Sequence, residues 1–167
     1  GWQWQLNAYR NDIDDLIVYD TAIFAANNIE SARIRGVELT ASGRLGAWDV
    51  RGQLGTLDAR NLSTGGNHGK RLPRRPQRSA RIDLDRDLGD LGFGISGIAE
   101  GARWDDVANT LRVGGYGTVD ARASWRFAAG WTLQASLVNA FDRRYETTAY
   151  YNQPGREWSL GLRWQPR

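Results

Sequence analysis

The chain has 167 residues, of which 25% are charged, and a formal net charge of +3 supplied almost wholly by arginine. That length points to one compact unit, and the small positive charge gives no argument for a nucleic-acid partner. The absence of cysteine excludes disulfides and thiolate metal sites, and no run of about 18 apolar residues exists, which excludes an ordinary transmembrane helix but not a transmembrane barrel.

Eight segments alternate apolar and polar residues with the period of a half-buried strand. Trp2, Trp4, Leu6 and Ala8 oppose Gln3, Gln5, Asn7 and Tyr9. Val37, Leu39 and Ala41 oppose Glu38, Thr40 and Ser42; Trp48, Val50, Gly52 and Leu54 oppose Asp49, Arg51, Gln53 and Gly55. Ala80, Ile82 and Leu84 oppose Arg81, Asp83 and Asp85, and Phe93, Ile95, Gly97 and Ala99 follow with a less clean pattern. Val119, Ala121, Ala123, Trp125 and Phe127 oppose Asp120, Arg122, Ser124 and Arg126. Trp131, Leu133, Ala135 and Leu137 oppose Thr132, Gln134 and Ser136. The last segment sets Trp158, Leu160, Leu162 and Trp164 against Glu157, Ser159, Gly161, Arg163 and Gln165.

Two further features separate a membrane barrel from a soluble sandwich, which also alternates. Short links around 44–47, 87–90 and 128–130 alternate with long ones near 12–27, 60–76, 105–115 and 142–155. Periplasmic turns and extracellular loops have this pattern. Aromatic residues also collect at strand ends. Trp2, Trp4, Trp48, Phe127, Trp131 and Trp164 lie beside short turns or chain ends; Tyr9, Trp104, Tyr116, Tyr145 and Trp158 lie beside long links. Two such belts suit two membrane interfaces, so Trp2, Trp4, Trp48, Trp131, Trp158, Trp164 and Tyr145 are the expected interfacial residues. A one-residue slip of the 119–127 strand would turn Asp120, Arg122 and Arg126 towards lipid, at about 2–4 kcal/mol for each arginine at mid-bilayer. The polar face must therefore look inward.

Three stretches carry a family resemblance. "NIESARIRGVELTASG" (28–43), "RLPRRPQRSARIDL" (71–84) and "LVNAFDRRYETTAYYNQPGREWSLGLRW" (137–164) resemble the C-terminal barrel of TonB-dependent outer-membrane receptors, in order and spacing along nearly the whole chain. "YRNDIDDLIVYD" (9–20) followed by "NNIESARIRGVE" looks most like the cobalamin (corrinoid) branch of that family. The resemblance implies an all-β antiparallel transmembrane barrel of 22 strands in the Gram-negative outer membrane. This chain would supply the last eight, as a single segment over residues 1–167. It implies nutrient import driven through TonB, with the plug domain and its TonB-contacting segment not visible here. Such barrels usually end on an aromatic residue, whereas Trp164 is followed by Gln165, Pro166 and Arg167.

In "SLVNAFDRRYE" (136–146), Asn139 and Asp142 are turn formers able to bond nearby backbone where a strand ladder ends. That motif reads as architecture. "RLPRRPQR" holds Arg71, Arg74, Arg75 and Arg78, suited to bidentate binding of an anion. The resemblance places Arg74 and Arg75 where a loop dips into the barrel mouth, as candidates to touch substrate or lipopolysaccharide. A solvated basic loop is the competing reading. Asp12, Asp14, Asp15 and Asp20 make an oxygen-rich cluster, but it lacks the glycine and closing glutamate of a calcium loop. "GGYG" (114–117) lacks the strand-to-helix context of a phosphate loop, and His68 is the single histidine.

These readings give an outer-membrane receptor segment that binds and conducts rather than catalyses, with no cofactor. Its expected partners are membrane lipid, lipopolysaccharide, a corrinoid or siderophore ligand, and TonB. A small self-contained eight-stranded structural or adhesive barrel is a second reading. A barrel-embedded enzyme is a third, and would need a clustered nucleophile and base.

Overall fold

The computed structural model describes residues 1–20 and 23–166; Thr21 and Ala22, inside the expected 12–27 link, and the terminal Arg167 lie outside the described residues. Eight long strands form one antiparallel sheet, and two small hairpins sit in the long links. In chain order the strands are β1 (Gln3–Asp20), β2 (Ala25–Leu45), β3 (Trp48–Asn61), β4 (Arg78–Leu88), β5 (Leu91–Glu100), β6 (Arg103–Trp104), β7 (Arg112–Val113), β8 (Tyr116–Ala128), β9 (Trp131–Val138), β10 (Glu146–Thr148), β11 (Tyr151–Asn152) and β12 (Glu157–Trp164). The main sheet runs β1-β2-β3-β4-β5-β8-β9-β12, while β6 pairs with β7 and β10 with β11. This is the expected all-β antiparallel architecture, and no helix occurs among the described residues. Among the described residues nothing pairs β12 with β1, so these strands form an open wall with two edges.

The three short links are two-residue turns at Gly46–Ala47, Gly89–Asp90 and Ala129–Gly130. Each has a glycine at positive φ (61°, 68° and 76°), the conformation in which a Cβ is penalised. The link expected at 12–27 is instead mostly strand. β1 and β2 contain 18 and 21 residues, roughly twice the 9–11 that cross a bilayer. Its acidic residues suggested a loop, but Ile13, Leu16, Ile17, Val18 and Tyr19 are good strand formers, and the pairing runs on to Asp20 opposite Ala25.

The hydrophobic core lies at the loop-bearing end of the sheet. Val18, Ile29, Ala32, Ala59, Leu72 and Val107 are buried together, with Leu16, Ile34 and Leu57 packed against them. Leu72 and Val107 come from two of the long links and fold down onto the strands. Along the rest of the sheet the apolar face is bare. Leu6, Leu54, Leu160 and Leu162 are all more than half exposed, and Leu133, paired with Leu162, belongs to no buried cluster. A water-soluble globule would bury that face; here it is the outer surface of the wall.

The opposite face is a charged lattice. Arg122 on β8 crosses Gly94 on β5 to reach Asp85 on β4, and also donates to Ser96 Oγ at 2.7 Å. A Cβ on Gly94 would fall 2.3 Å from Arg122 Nε, so the glycine opens the path. Ser96 in turn donates to Asp83, which accepts two bonds from Arg81 at 2.8 Å. Arg81, Asp83, Asp85 and Arg122 line a concave space of about 860 Å³.

Candidate functional site

The long links assemble at one end of the wall, and Arg74 ties them together. It sits at φ +58°, and its amide donates to the Trp104 carbonyl at 2.6 Å. Its guanidinium forks onto Asp105, Nε to Oδ1 at 3.0 Å and Nη2 to Oδ2 at 3.3 Å. The guanidinium also lies 5.4 Å from the centre of the Tyr19 ring. Asp105, almost fully buried, accepts a further bond from the Ala149 amide at 3.2 Å. Four parts of the chain therefore meet at this ion pair: the tall β1–β2 hairpin, the 62–77 link, the β6–β7 hairpin and the β10–β11 hairpin.

Asn109 reinforces the assembly by imitating a strand partner. Its Oδ1 accepts from the Arg71 amide at 2.7 Å and its Nδ2 donates to the Arg71 carbonyl at 2.9 Å. Asp106 closes its own turn by accepting from the amides of Thr110 and Leu111 and from the Thr110 hydroxyl. Burial alone would raise the Asp106 carboxyl, but these bonds prevail and hold its pKa below the ordinary carboxylate value.

Beside Arg74 opens a cavity of about 780 Å³ lined by Tyr19, Phe24, Tyr150, Tyr151, Thr148 and Gln153, among others. Phe24 and Tyr150 are more than four-fifths exposed. Exposed rings around a fixed guanidinium can take a bulky ligand with flat or anionic groups. Arg74 borders this bowl, but its fork is committed to Asp105. Arg75 is half-buried, and its only hydrogen bond among the described residues runs to the Pro73 carbonyl. Burial pulls its guanidinium below the ordinary arginine value. The two candidate arginines thus part company: one is a strut and the other a shielded cation.

The aromatic residues divide as well. Trp2, Trp4, Trp131 and Trp164 are exposed near the short-turn end, and Trp125, Phe127, Trp131 and Trp164 form a chain of rings with centroids 5.7, 6.5 and 6.2 Å apart. Trp48 is partly covered by Arg86, 5.6 Å from its ring. Trp158 is exposed towards the other end. Tyr145 differs from expectation. It stacks on Tyr116 at 4.0 Å and is half-buried, and Tyr116 alternates with the polar-face residues Asp120 and Arg122. Tyr9 likewise bonds Glu38 on that side. Adjacency to a long link did not fix which way either ring points.

The turn at Asn139 takes the expected form. Asn139 is buried, its Oδ1 accepts from the Arg143 amide, and its Nδ2 donates to the Arg143 carbonyl, each at 2.9 Å. Asp142 accepts from the Arg156 amide at 2.8 Å. The acidic residues of β1 do not converge: Asp12 pairs with Arg10 and Arg33, and Asp15 accepts from Asn28. His68 Nδ1 lies against the Leu62 and Ser63 carbonyls within its own loop.

Residues 1–140 match the family model described as TonB dependent receptor-like, beta-barrel. The chain belongs to that receptor barrel family. Solved structures show the same fold. They include the siderophore receptor PiuA from Acinetobacter baumannii (23% identity, TM-score 0.79, 96% of this chain and 26% of that one). The ferric yersiniabactin uptake receptor FyuA from Yersinia pestis matches at 22% identity and TM-score 0.76, over 96% and 27%. The ferric citrate transporter FecA in its unliganded form matches at 17% identity and TM-score 0.83, over 97% and 29%. The chain thus spans little more than a quarter of the receptors it matches. Barrels of this kind commonly carry long extracellular loops and short periplasmic turns.

Proposed function

We propose that this chain is the C-terminal barrel segment of an outer-membrane receptor that imports a scarce nutrient through TonB. The carrying observation is the contrast between the two faces of one sheet. Bare leucines and tryptophans cover the outside, while ion pairs cover the inside. Lipid suits the first face; water, or a plug domain supplied elsewhere in the protein, suits the second. The open edges β1 and β12 support the same reading, because unpaired backbone in hydrocarbon costs several kcal/mol per group. Further strands of a larger barrel would satisfy both edges.

Trp2, Trp4, Trp48, Trp131 and Trp164 then anchor the periplasmic interface and Trp158 the outer one. The segment binds and conducts; it does not catalyse. The bowl beside Arg74 is the ligand-contacting surface, and Arg75, next to Arg74 along the chain, is a second candidate contact. A cobalamin or related corrinoid is the cargo favoured by the resemblance of residues 9–20 and 27–38. A ferric siderophore is the second reading, favoured by the names of the receptors with the same fold.

The test is uptake by the complete protein in cells lacking their own cobalamin and siderophore receptors, with labelled cyanocobalamin and ferric siderophores supplied in parallel. Cobalamin uptake abolished by loss of TonB supports the first cargo, and siderophore uptake with the same dependence supports the second. Absence of any TonB-dependent uptake of either rejects the transport reading.

A further inference from the structure

Seven non-glycine residues among those described have left-handed backbone. Four are Asp15, Asn109, Asn139 and Asp142, whose short polar side chains tolerate that conformation by bonding nearby backbone. The other three are Phe24 (φ +52°), Arg74 (φ +58°) and Tyr150 (φ +67°), and all three line the bowl. A bulky side chain at positive φ is a steric outlier, and a turn that needed only the backbone would be better served by glycine or asparagine. Arg74 gains its fork onto Asp105 from the arrangement. Phe24 and Tyr150 gain no burial: they are the two most exposed large apolar side chains among the described residues.

The backbones that carry the two rings are nevertheless fixed. Tyr150 lies between β10 and β11; its amide donates to Glu146 Oε2 at 3.2 Å, and the preceding amide, of Ala149, donates to Asp105. Phe24 lies immediately before β2, where Ala25 pairs with Asp20 and Asn27 Nδ2 donates to Asp20 Oδ2 at 3.0 Å. Two hairpins remote in sequence thus hold strained, exposed rings at one cavity, an arrangement suited to a preorganised ligand clamp.

The charges of the same cavity indicate what enters it. Among the described residues Arg74 is the only basic side chain in its lining, against the carboxylates of Asp105 and Asp106. The guanidinium is answered by Asp105, and Asp106 is held by the Thr110 and Leu111 amides. The lining is therefore negative on balance, with no unanswered cation to meet an anion. A polyanion would lose hydration there without finding a partner. An uncharged ligand with apolar or π surface meets two free rings.

We propose that Phe24 and Tyr150 are the specificity-determining residues of the bowl, clasping the apolar surface of an electrically neutral ligand and disfavouring polyanions. This rests on the reading of the bowl as the ligand-contacting surface, and it narrows the cargo by charge. A neutral metal chelate fits the lining; a trianionic one does not.

The complete protein, purified in detergent, is dialysed to equilibrium against three labelled probes: cyanocobalamin and a ferric tris-hydroxamate, both neutral, and a trianionic ferric tris-catecholate. Phe24→Asn and Tyr150→Asn are compared with the parent protein, because asparagine accepts the left-handed backbone and removes the ring. We expect at least one neutral probe to bind about tenfold or more tighter than the tris-catecholate. Each variant should weaken that binding about tenfold without lowering thermal stability. Binding unaffected by either substitution overturns the proposal, as does a loss of stability of the kind that removing a packed ring would give. So does tris-catecholate binding as tight as that of the neutral probes, or no saturable binding of either neutral probe. The comparison of probes on the parent protein needs no variant, so the charge selection is decided even should a variant misfold. TonB-dependent uptake of the same probes is measured separately. Uptake of the tris-catecholate through TonB, with its binding the tightest, refutes the charge selection and leaves the transport reading standing; loss of all uptake with ring-dependent neutral binding intact does the opposite.

Discussion

Arg74 and Asp105 are held together by two parallel hydrogen bonds of 3.0 and 3.3 Å, and every long link of the receptor rim touches one of the two. The pair is a fastener of the extracellular surface. Truncating Arg74→Ala leaves Asp105 buried with a single backbone donor. Since the Arg74 side chain is about a third exposed, the cost falls below that of a fully buried pair, on the order of 1–3 kcal/mol. The expected sign is faster amide exchange in the 62–77 and 101–115 links, with the membrane-level strands unchanged. Equal exchange in the variant and the parent protein would show the rim to be held by other contacts.

The outward face gives a sharper test. Leu160→Arg should destabilise the barrel by about 2–4 kcal/mol when it is unfolded from lipid vesicles. Gln134→Arg, which faces the charged lumen cavity, should change stability by less than about 1 kcal/mol. The same cost at both positions would contradict the assignment of faces.

Gly94 and Arg122 should be energetically coupled. Gly94→Ala places a methyl in the path of the guanidinium and displaces it from Asp85. The loss is on the order of 1 kcal/mol, because the end of a long side chain can move. In an Arg122→Ala background the same substitution should cost much less. A double-mutant cycle by chemical unfolding measures the difference, and strictly additive effects would count against the crossing.

Asp106 makes the rim acid-sensitive. Its folded-state pKa lies below the unfolded value of 3.8, so its stabilising contribution is complete above that value and is lost as pH falls through the lowered folded one. Proteolysis of the 105–111 turn should accelerate as pH drops below about 4, using an acid-active protease. Asp106→Asn should be susceptible already at neutral pH and show little further change on acidification.

The Tyr116–Tyr145 stack should contribute roughly 0.5–1.5 kcal/mol beyond its buried area. Tyr145→Leu keeps most of the apolar surface and loses the stacking. The expected result is a more mobile β10–β11 hairpin by amide exchange, with no change in how the barrel inserts into lipid. Altered insertion with an unchanged hairpin would restore Tyr145 to the membrane interface.

The alternation of residues determined the strands, the two faces and the register, because a strand presents successive side chains to opposite sides and a slip of one residue would put charge into lipid. The turn glycines and the Asn139 turn were legible for the same local reason: their backbone requirements are met by one or two residues. Sequence could not show that β1 and β2 continue beyond the membrane span, since above it their acidic residues are paired rather than patterned. Nor could it show that Arg74 is a strut held by Asp105 and the Trp104 carbonyl. Those partners are about 25 or more residues away along the chain and are brought together only by the folding of separate loops, through long-range packing that a local pattern does not encode.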